Sequence, residues 1–355
     1  MSLSIAIVGL PNVGKSSLFN LLTKKRVEAA NYPFCTIDPN VGVVKVPDFR
    51  LAKLAEVSKP KQIIPTAIEF VDIAGLVSGA HKGEGLGNKF LAHIRECDAI
   101  CEVIRDFKDK NIIHVNGQVN PTDDKETINL ELIFADLATV EKRLDKMKRE
   151  VKSGDKEIKV NIIILERIYK QLSSGQAIRE LEFDKEEIFF VKSLNLLTIK
   201  PILYLLNIDD SYDTASLLIN STDEILSIDV KLEEEIVGLP EEEQAEYIKE
   251  LGLKQSGLDK LIQKAYKLLD LETFFTTGPD ETRAWTIKKN AKAPDAAGEI
   301  HTDFIKGFIR AEVINWEKLV ECGSEVKARE LGLIRTEGKE YAVTDGDVCN
   351  FLIGK

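Results

Sequence analysis

The stretch Gly9-Leu10-Pro11-Asn12-Val13-Gly14-Lys15-Ser16 decides the fold, because it fits the pattern G-x-x-x-x-G-K-[ST] at every fixed position. Apolar residues before it (3–8) predict a buried strand, and leucines after it (18–22) recur at helical spacing. A glycine-rich turn that joins a strand to a helix is the setting in which this pattern binds phosphates. The alternative, an ordinary turn with a chance Lys-Ser pair, does not explain that setting. The sequence therefore predicts a nucleotide-binding protein.

Each part of this loop has a predicted role in holding a polyphosphate. Backbone N–H groups of residues 12–17, including that of Ser17, and the positive end of the following helix would surround the phosphate oxygens. Lys15 would reach the β- and γ-phosphates, and the Ser16 hydroxyl would ligate Mg²⁺. The predicted ligand is therefore a polyphosphate together with Mg²⁺.

Composition limits the class of protein. A chain of 355 residues exceeds what one core usually organises, so two or three domains are expected. The net charge of −11 excludes a wholly basic nucleic-acid binder, although a local basic face is compatible with it. The five cysteines are scattered and odd in number, which favours reduced thiols over disulfides or zinc. Since neither a signal peptide nor a long apolar run is evident, we expect a cytoplasmic protein with no membrane partner.

Two segments downstream are predicted to complete the phosphate site. The turn-rich loop 26–40 carries Thr36, and a Thr after the first helix of GTPase-like proteins closes on Mg²⁺ and the γ-phosphate. The segment 72–75 follows an apolar strand and fits D-x-x-G. Asp72 would hold Mg²⁺ through water, and the Gly75 N–H would contact the γ-phosphate. D-x-x-G is a weak pattern alone, but it is strong downstream of a matching phosphate loop.

The residue after D-x-x-G makes the predicted chemistry unusual. Ras-like GTPases place a glutamine there to orient the attacking water, and this chain has Leu76. An aliphatic side chain cannot orient water, so hydrolysis must depend on another residue, on a bound monovalent cation or on a partner. The glycine-rich segment 78–87 that follows is typical of a switch that orders around a nucleotide.

A long helical arm is predicted in the middle of the chain. Apolar residues recur at helical spacing over 124–149 and 156–172, and a Ser-Gly-Asp turn separates the two segments. We expect an antiparallel, coiled-coil-like hairpin that serves as an interaction or spacer element. His114 lies in the polar loop before this arm. From its position alone it is more typical of a structural histidine than of a catalytic one.

The segments that read the base in GTPases are altered in this chain. Asn207, Ile208 and Asp210 stand where GTPases have the N, K and D of N-K-x-D, so the lysine is lost while the guanine-binding carboxylate is kept. The tripeptide 229–231 is Asp-Val-Lys in place of the usual S-A-K, and its Lys231 remains a candidate nucleotide contact. Guanine specificity therefore does not follow from these residues.

The last part of the chain has a different character. Short strand-like runs from about residue 272 alternate with Gly, Pro and Asp turns and one helix near 318–331, which predicts a small α+β domain. It contains no recognisable catalytic constellation. The predicted architecture is an α/β P-loop G domain (1–123 and 196–271), an inserted α-helical, coiled-coil-like domain (124–195) and this C-terminal domain (272–355).

Seven motifs together make the chain resemble the YchF subfamily of Obg-like ATPases over essentially its whole length. The combination is far more specific than the phosphate loop alone. The motifs are Gly-Leu-Pro-Asn-Val-Gly-Lys-Ser (9–16), Asn-Tyr-Pro-Phe-Cys-Thr-Ile (31–37), Asp-Ile-Ala-Gly-Leu-Val (72–77), Gly-Glu-Gly-Leu-Gly-Asn-Lys-Phe-Leu (83–91), Arg-Ala-Trp-Thr-Ile (283–287), Ile-His-Thr-Asp-Phe-Ile-Lys-Gly-Phe-Ile-Arg-Ala-Glu-Val (300–313) and Asp-Gly-Asp-Val (345–348).

The resemblance implies both a fold and a function. It implies that the C-terminal domain is a TGS domain of β-grasp type, that ATP is hydrolysed in preference to GTP, and that the protein associates with ribosomes in translation or stress regulation. The expected partners are ATP and ADP, the ribosome and, through the TGS and helical domains, RNA; a monomer is expected. The resemblance also implies that Asn12 supports K⁺-assisted hydrolysis and that His114 is a candidate catalytic residue.

Two departures from the family pattern concern the base. The family has Glu where this chain has Asp210, and Ser/Cys-Ala where this chain has Asp229-Val230. Three hypotheses therefore stay open. The first is a ribosome-associated ATPase switch, and the second is a GTP-binding translation factor that retains guanine through Asn207 and Asp210. The third is a ribosome- or RNA-binding adaptor in which nucleotide only stabilises the fold.

Overall fold

The protein consists of two compact units. The first contains the described residues of 1–24, 36–42 and 69–261, and the second contains those of 25–35, 43–68 and 262–355. The three-domain division predicted from the sequence stays a prediction, but residues 43–68, which it assigned to the P-loop domain, pack with the second unit. The computed structural model describes residues 3–25, 39–73, 87–115, 117–151, 156–209 and 224–354.

The first sheet contains four parallel strand pairs among its described strands. Its described strands lie in the order β2 (Val41–Lys45), β4 (Ala67–Asp72), β1 (Ser4–Val8), β5 (Ala99–Asp106), β6 (Ile202–Ile208) and β7 (Glu224–Ile228). β1 pairs in parallel with β4 and with β5, and the parallel pairing continues through β6 to β7. Parallel strands are covered on both faces, which is why β5 is buried along nearly its whole length. The carboxyl ends of these strands meet at one edge of the sheet.

The third helix of this unit packs its apolar face on the sheet. Leu91 and Ile94 of the third helix join Ala6, Ile100 and Tyr204 of the strands in one buried cluster. The strand predicted from the apolar residues 3–8 and the apolar strand predicted just before 72–75 are confirmed as β1 and β4. The helices are α1 (Lys15–Lys24), α3 (Asn88–Glu96), α7 (Val230–Gly238), α8 (Glu241–Glu250) and α9 (Gly257–Leu268).

A helical insertion separates β5 from β6. Its helices are α4 (Pro121–Glu150), α5 (Lys156–Ser173) and α6 (Lys185–Ser193), so the predicted helical segments 124–149 and 156–172 are both present. Val140 and Leu144 of α4 pack against Leu165 and Ile168 of α5 in a core of their own. No helix in the described part of the chain has the length and apolar character that crossing a bilayer requires.

The second sheet combines distant parts of the chain. Its described order is β11 (Arg335–Glu337), β10 (Phe308–Asn315), β12 (Asp347–Ile353), β8 (Leu271–Thr277), β9 (Glu281–Lys288) and β3 (Gln62–Ile64). β3 pairs in parallel with β9, although it comes from the segment between the phosphate loop and β4. The neighbouring helix α2 (Phe49–Ser58) buries Leu51 and Leu54 against Phe275 and Leu319 of the same unit.

The C-terminal prediction was right for most strands and wrong in two details. The single helix expected near 318–331 is two helices, α12 (Trp316–Cys322) and α13 (Glu325–Glu330), because Gly323 adopts a left-handed conformation and Ser324 caps a new helix. The run 341–343, predicted as a strand, forms only an isolated bridge between Ala342 and Lys292. Two short helices that the sequence did not predict, α10 (Ala293–Ile300) and α11 (Asp303–Gly307), precede β10.

Candidate functional site

The phosphate loop has a backbone conformation that requires glycine at two of its positions. Gly9 and Gly14 have φ of 145° and 101°, in the region that favours glycine, and Asn12 has a left-handed φ of 63°. A Cβ at Gly9 would collide with the carbonyl oxygen of Val103, and one at Gly14 would collide with the amide of Asn207. The fixed glycines of the motif are therefore required by close backbone approach as well as by φ.

Lys15 is buried at the start of α1 and folds back on its own loop. Its Nζ donates a hydrogen bond of 2.6 Å to the carbonyl oxygen of Leu10. Burial lowers the pKa of Lys15 to about 8, and the Asp72 carboxylate partly offsets that effect. Asp72 is itself buried at the end of β4. A polyphosphate would therefore offer the buried ammonium a stronger partner than a neutral carbonyl.

A cavity of about 470 Å³ extends from the phosphate loop to the start of α7. Its walls include most of the residues that the sequence predicted for the nucleotide: Asn12, Gly14, Lys15, Ser16, Ser17, Asn207, Ile208 and Lys231. Thr36, Gly75, Leu76 and Asp210 lie outside the described residues. Val13 and Asp72 are described but do not line the cavity. The residues that the sequence did not predict are Phe107, Lys108, Ile112, Asp209, Val230 and Glu234.

Asn207 connects three segments of this site. Its Nδ2 donates to the carbonyl oxygen of Val13 in the phosphate loop at 3.0 Å. Its Oδ1 accepts from the backbone N–H of Val230 at the start of α7 at 3.4 Å. The side chain is only 5% exposed, so both bonds are shielded from water. Asn207 thus holds the phosphate end and the α7 end of the cavity together, which agrees with the bracing role predicted for it.

The first turn of α7 is closed by the carboxylate of Asp229. Its Oδ1 accepts the backbone N–H groups of Lys231 at 2.9 Å and of Leu232 at 3.1 Å. The carbonyl oxygen of Asp229 accepts the N–H of Glu233 at 3.1 Å. This is an N-cap of the kind that aspartate favours. In this structure the S-A-K position of GTPases is therefore an aspartate-capped helix start.

A buried arginine shapes the loop that forms one wall of the cavity. Arg105 is 2% exposed. Its Nε, Nη1 and Nη2 donate to the carbonyl oxygens of Phe107, Ile112 and Asp109 at 3.2, 3.0 and 3.2 Å. Its guanidinium carbon also lies 4.4 Å from the centre of the Phe107 ring. This wall was not predicted from the sequence, where its only signal is an arginine inside an otherwise apolar strand.

His114 lies beside this site rather than in its wall. It is 6% exposed, and its Nε2 lies 2.8 Å from Oδ2 of the buried Asp124 in the first turn of α4. The preceding residue, Ile113, accepts a hydrogen bond of 3.1 Å from Nδ2 of Asn12. The backbone next to His114 therefore contacts the phosphate loop while its imidazole points to α4. The catalytic role suggested for His114 stays a prediction.

Comparison with known proteins places the chain in a family. Residues 4–135 match the family model MMR_HSR1, described as a 50S ribosome-binding GTPase, and residues 271–354 match the model YchF-GTPase_C, described as a protein of unknown function. A Bacillus subtilis protein named Ribosome-binding ATPase YchF is 52% identical over 362 residues, covering 99% of both chains. The chain belongs to the YchF family.

Other YchF proteins agree over the full length. The Escherichia coli O157:H7 Ribosome-binding ATPase YchF is 50% identical over 364 residues, again covering 99% of both chains. A solved structure of the Schizosaccharomyces pombe YchF GTPase matches with a TM-score of 0.90 at 39% identity, covering 99% of this chain and 98% of that one. The resemblance inferred from the motifs is therefore confirmed, and the YchF fold includes both compact units described above.

Proposed function

We propose that this YchF protein hydrolyses ATP to ADP and phosphate and works as a ribosome-associated switch. The observation that carries the proposal is the cavity that joins the phosphate loop to Asn207 and α7, with the buried Lys15 at its phosphate end. Its relatives named Ribosome-binding ATPase supply the substrate and the partner. The segments of Thr36 and Gly75, predicted from the sequence to contact Mg²⁺ and the γ-phosphate, would carry the signal.

We also propose that Mg²⁺ accompanies the nucleotide. Ser16 lies in the cavity wall, and Asp72 lies close enough to Lys15 to influence its pKa. A hydroxyl and a carboxylate are hard oxygen donors that suit Mg²⁺, which takes its other ligands from phosphates and water. Ser16 and Thr36 would ligate the ion directly and Asp72 through water. Bound there, Mg²⁺ would neutralise charge on the β- and γ-phosphates.

A second cation, K⁺, is proposed near Asn12. The side-chain nitrogen of Asn12 is used by the carbonyl oxygen of Ile113, which leaves the amide oxygen as the group that could face a cation. With Leu76 in place of the catalytic glutamine, such a charge would substitute for the arginine that activates other P-loop hydrolases. K⁺ and His114 are the two rival sources of catalysis.

Base choice is the first property to measure. We expect ATP to bind at least as tightly as GTP, because Ile208 replaces the lysine that packs on guanine and Val230 replaces the usual alanine. Each unpaired polar group at the base would cost about 1–3 kcal/mol. Parallel titrations of the full-length protein with ATP and GTP in the same Mg²⁺ buffer give the ratio directly. If GTP bound about 100-fold tighter, roughly 2.7 kcal/mol, the ATPase assignment would be wrong.

The ribosomal role is proposed for the C-terminal domain (272–355), as a TGS domain of β-grasp type, together with the helical insertion. These parts would contact the ribosome or its RNA, and the protein would act as a monomer. We expect wild-type protein to sediment with ribosomes to a different extent with ATP, ADP and no nucleotide. The Lys15→Ala variant should lose that dependence and resemble the nucleotide-free state. Sedimentation of the variant that still follows added nucleotide would refute the switch, and identical sedimentation of wild type in all three conditions would favour an adaptor.

A further inference from the structure

The start of α7 forms the end of the cavity that lies away from the phosphate loop. Val230, Lys231 and Glu234 of this helix line the cavity, and Asn207 joins it to the phosphate loop. The first four backbone N–H groups of a helix have no partner within the helix, so a ligand can use them as donors. The state of these four groups therefore decides what the helix offers to a base.

Three of these N–H groups, those of residues 230–232, already have partners inside the protein, while the N–H of Glu233 makes the first bond of the helix itself, to the carbonyl oxygen of Asp229. Val230 donates to Oδ1 of Asn207 at 3.4 Å. Lys231 and Leu232 donate to the Asp229 carboxylate at 2.9 and 3.1 Å. The Asp229 carboxylate thus supplies the partner for two of these groups, and neither of the two is left as a backbone donor to the cavity.

This arrangement distinguishes between the two purines. Guanine carries an acceptor at position 6, its O6, whereas adenine carries an amino group there, which donates. Burying an acceptor without a donor weakens binding, because the acceptor gives up its hydrogen bonds to water and gains none in the protein. The cavity wall near α7 instead carries the carboxylates of Glu234 and Asp209, which accept; Oδ2 of Asp209 already accepts the N–H of Lys108 at 2.7 Å. The wall is therefore better matched to a 6-amino purine than to a 6-oxo purine.

Two lysines in the same wall provide a rival source of donors. Lys108 lines the cavity, and Lys231 is 73% exposed with its Nζ 3.5 Å from Oδ2 of Asp109. An exposed lysine gains little from any single partner, because holding its long side chain in one geometry costs conformational entropy. A backbone N–H is already fixed in place and carries no such cost. The capped backbone is therefore the stronger determinant.

We propose that Asp229 is a specificity-determining residue of this site: by capping α7 with its carboxylate, it withdraws the N–H groups of Lys231 and Leu232 as donors to O6 of guanine and so disfavours GTP. The inference deepens the proposed ATP preference and rests on that function. It differs from a simple charge effect, because the proposal depends on the hydrogen bonds of the cap. Variants that separate the cap from the charge therefore test it.

Three substitutions at position 229 make this separation. Asp229→Ala removes both the cap and the charge. Asp229→Gly frees the same N–H groups at a smaller loss of helix stability, since glycine is a tolerable N-cap, and it serves if the alanine variant folds poorly. Asp229→Asn removes the charge but keeps a cap, because asparagine caps about as well as aspartate. Dissociation constants for ATP and GTP are measured calorimetrically on each full-length variant.

The expected result is a fall in the ratio of the GTP to the ATP dissociation constant. Freeing donors worth about 1–1.5 kcal/mol should lower the ratio by about 5–13-fold in Asp229→Ala and Asp229→Gly. Asp229→Asn should stay within about twofold of wild type, which is the limit set by about 0.4 kcal/mol. An unchanged ratio in the alanine and glycine variants, or an equal fall in the asparagine variant, would overturn the proposal.

A matched control exists in α6. Asp184 caps that helix in the same way, and its Oδ1 accepts the N–H groups of Glu186 at 2.9 Å and Glu187 at 2.8 Å. Asp184→Ala removes an equivalent cap away from the cavity, so the ratio should not change; a change there would overturn the proposal. The test also stays separate from the proposed function. If wild type prefers GTP, the ATPase assignment fails, while the change of ratio between variants still decides the role of Asp229.

Discussion

Replacing Lys15 with methionine should abolish nucleotide binding and at the same time stabilise the nucleotide-free protein. The ammonium is the cation of the phosphate loop and would make charged hydrogen bonds to two phosphates. Each such bond contributes about 1.5–3 kcal/mol, so the loss of two should weaken ATP binding by at least about 100-fold. Hydrolysis should fall with it. If hydrolysis in the variant stayed within tenfold of wild type, the role given to the phosphate loop would be wrong.

The gain in stability follows from the burial of the same group. Burial lowers the pKa of Lys15 from its ordinary value of 10.5 to about 8, so the folded state holds the proton less tightly than the unfolded state does. Below pH 8 this disadvantage is fully present, and it corresponds to roughly 3 kcal/mol of free energy of unfolding as an upper limit. Methionine keeps the apolar stem and removes the charge. Its variant should therefore unfold at a higher temperature near pH 7.

The pH dependence provides the check. Between pH 8 and 10.5 the unfolded chain binds more protons at this lysine than the folded chain does, so wild type gains stability as pH rises. The methionine variant lacks that gain, and its advantage over wild type should shrink from pH 7 to pH 10. Thermal unfolding without nucleotide at several pH values measures the difference. Lys170→Met, at an exposed position of α5, is the control and should show no such trend.

Replacing His114 with alanine should lower kcat by about 100-fold, the lower end of what a positioned acid–base group contributes, with little change in ATP affinity. We expect kcat to fall because Leu76 cannot orient water, so another group must do so. We expect ATP affinity to change little because His114 does not line the nucleotide cavity. A group that acts only near the transition state affects kcat more than binding. Single-turnover hydrolysis and equilibrium ATP binding, both in K⁺ and in Na⁺, separate these quantities.

The partner of His114 supplies the control. Asp124→Asn keeps a hydrogen-bonding group beside the imidazole but removes the charge of the buried pair. If His114 only stabilises the fold, both variants should lower kcat in proportion to their loss of thermal stability. If His114 takes part in hydrolysis, His114→Ala should be far slower than Asp124→Asn at equal stability. Full activity of His114→Ala in both salts would remove His114 from the mechanism, and equal wild-type rates in both salts would remove the potassium ion.

The sequence predicted those parts of the site whose geometry is determined within one short segment. Gly9 and Gly14 are required by local backbone approach, and Lys15 and Ser16 follow them directly, so a motif is enough to identify them. The buried strands could be predicted equally well, because a parallel strand that is covered on both faces has a continuous run of apolar residues. Asn207 was found for the same reason, at the end of such a strand.

The parts that were missed depend on partners far away in the chain. A buried arginine such as Arg105 is unexpected in an apolar strand, and the three carbonyl groups that accept its hydrogen bonds cannot be identified from the sequence. The departure from S-A-K at Asp229 is visible in the sequence, but the capping of the Lys231 and Leu232 N–H groups by its carboxylate is not. The pairing of β3 with β9 could not be predicted, because a three-residue strand has no periodicity by which to recognise its sheet.

Segment 43–68 affects how the protein can be synthesised. Ser58 lies 2.8 Å from Thr282 although 224 residues separate them, and Arg50 reaches Asp345 across 295 residues. During translation α2 therefore leaves the ribosome long before its packing partners exist, with Leu51 and Leu54 uncovered. Contacts of such large sequence separation form late and slowly. A chain cut before β8 would keep this apolar surface exposed, and a fragment that starts at Leu271 would lack both α2 and the edge strand of its own sheet.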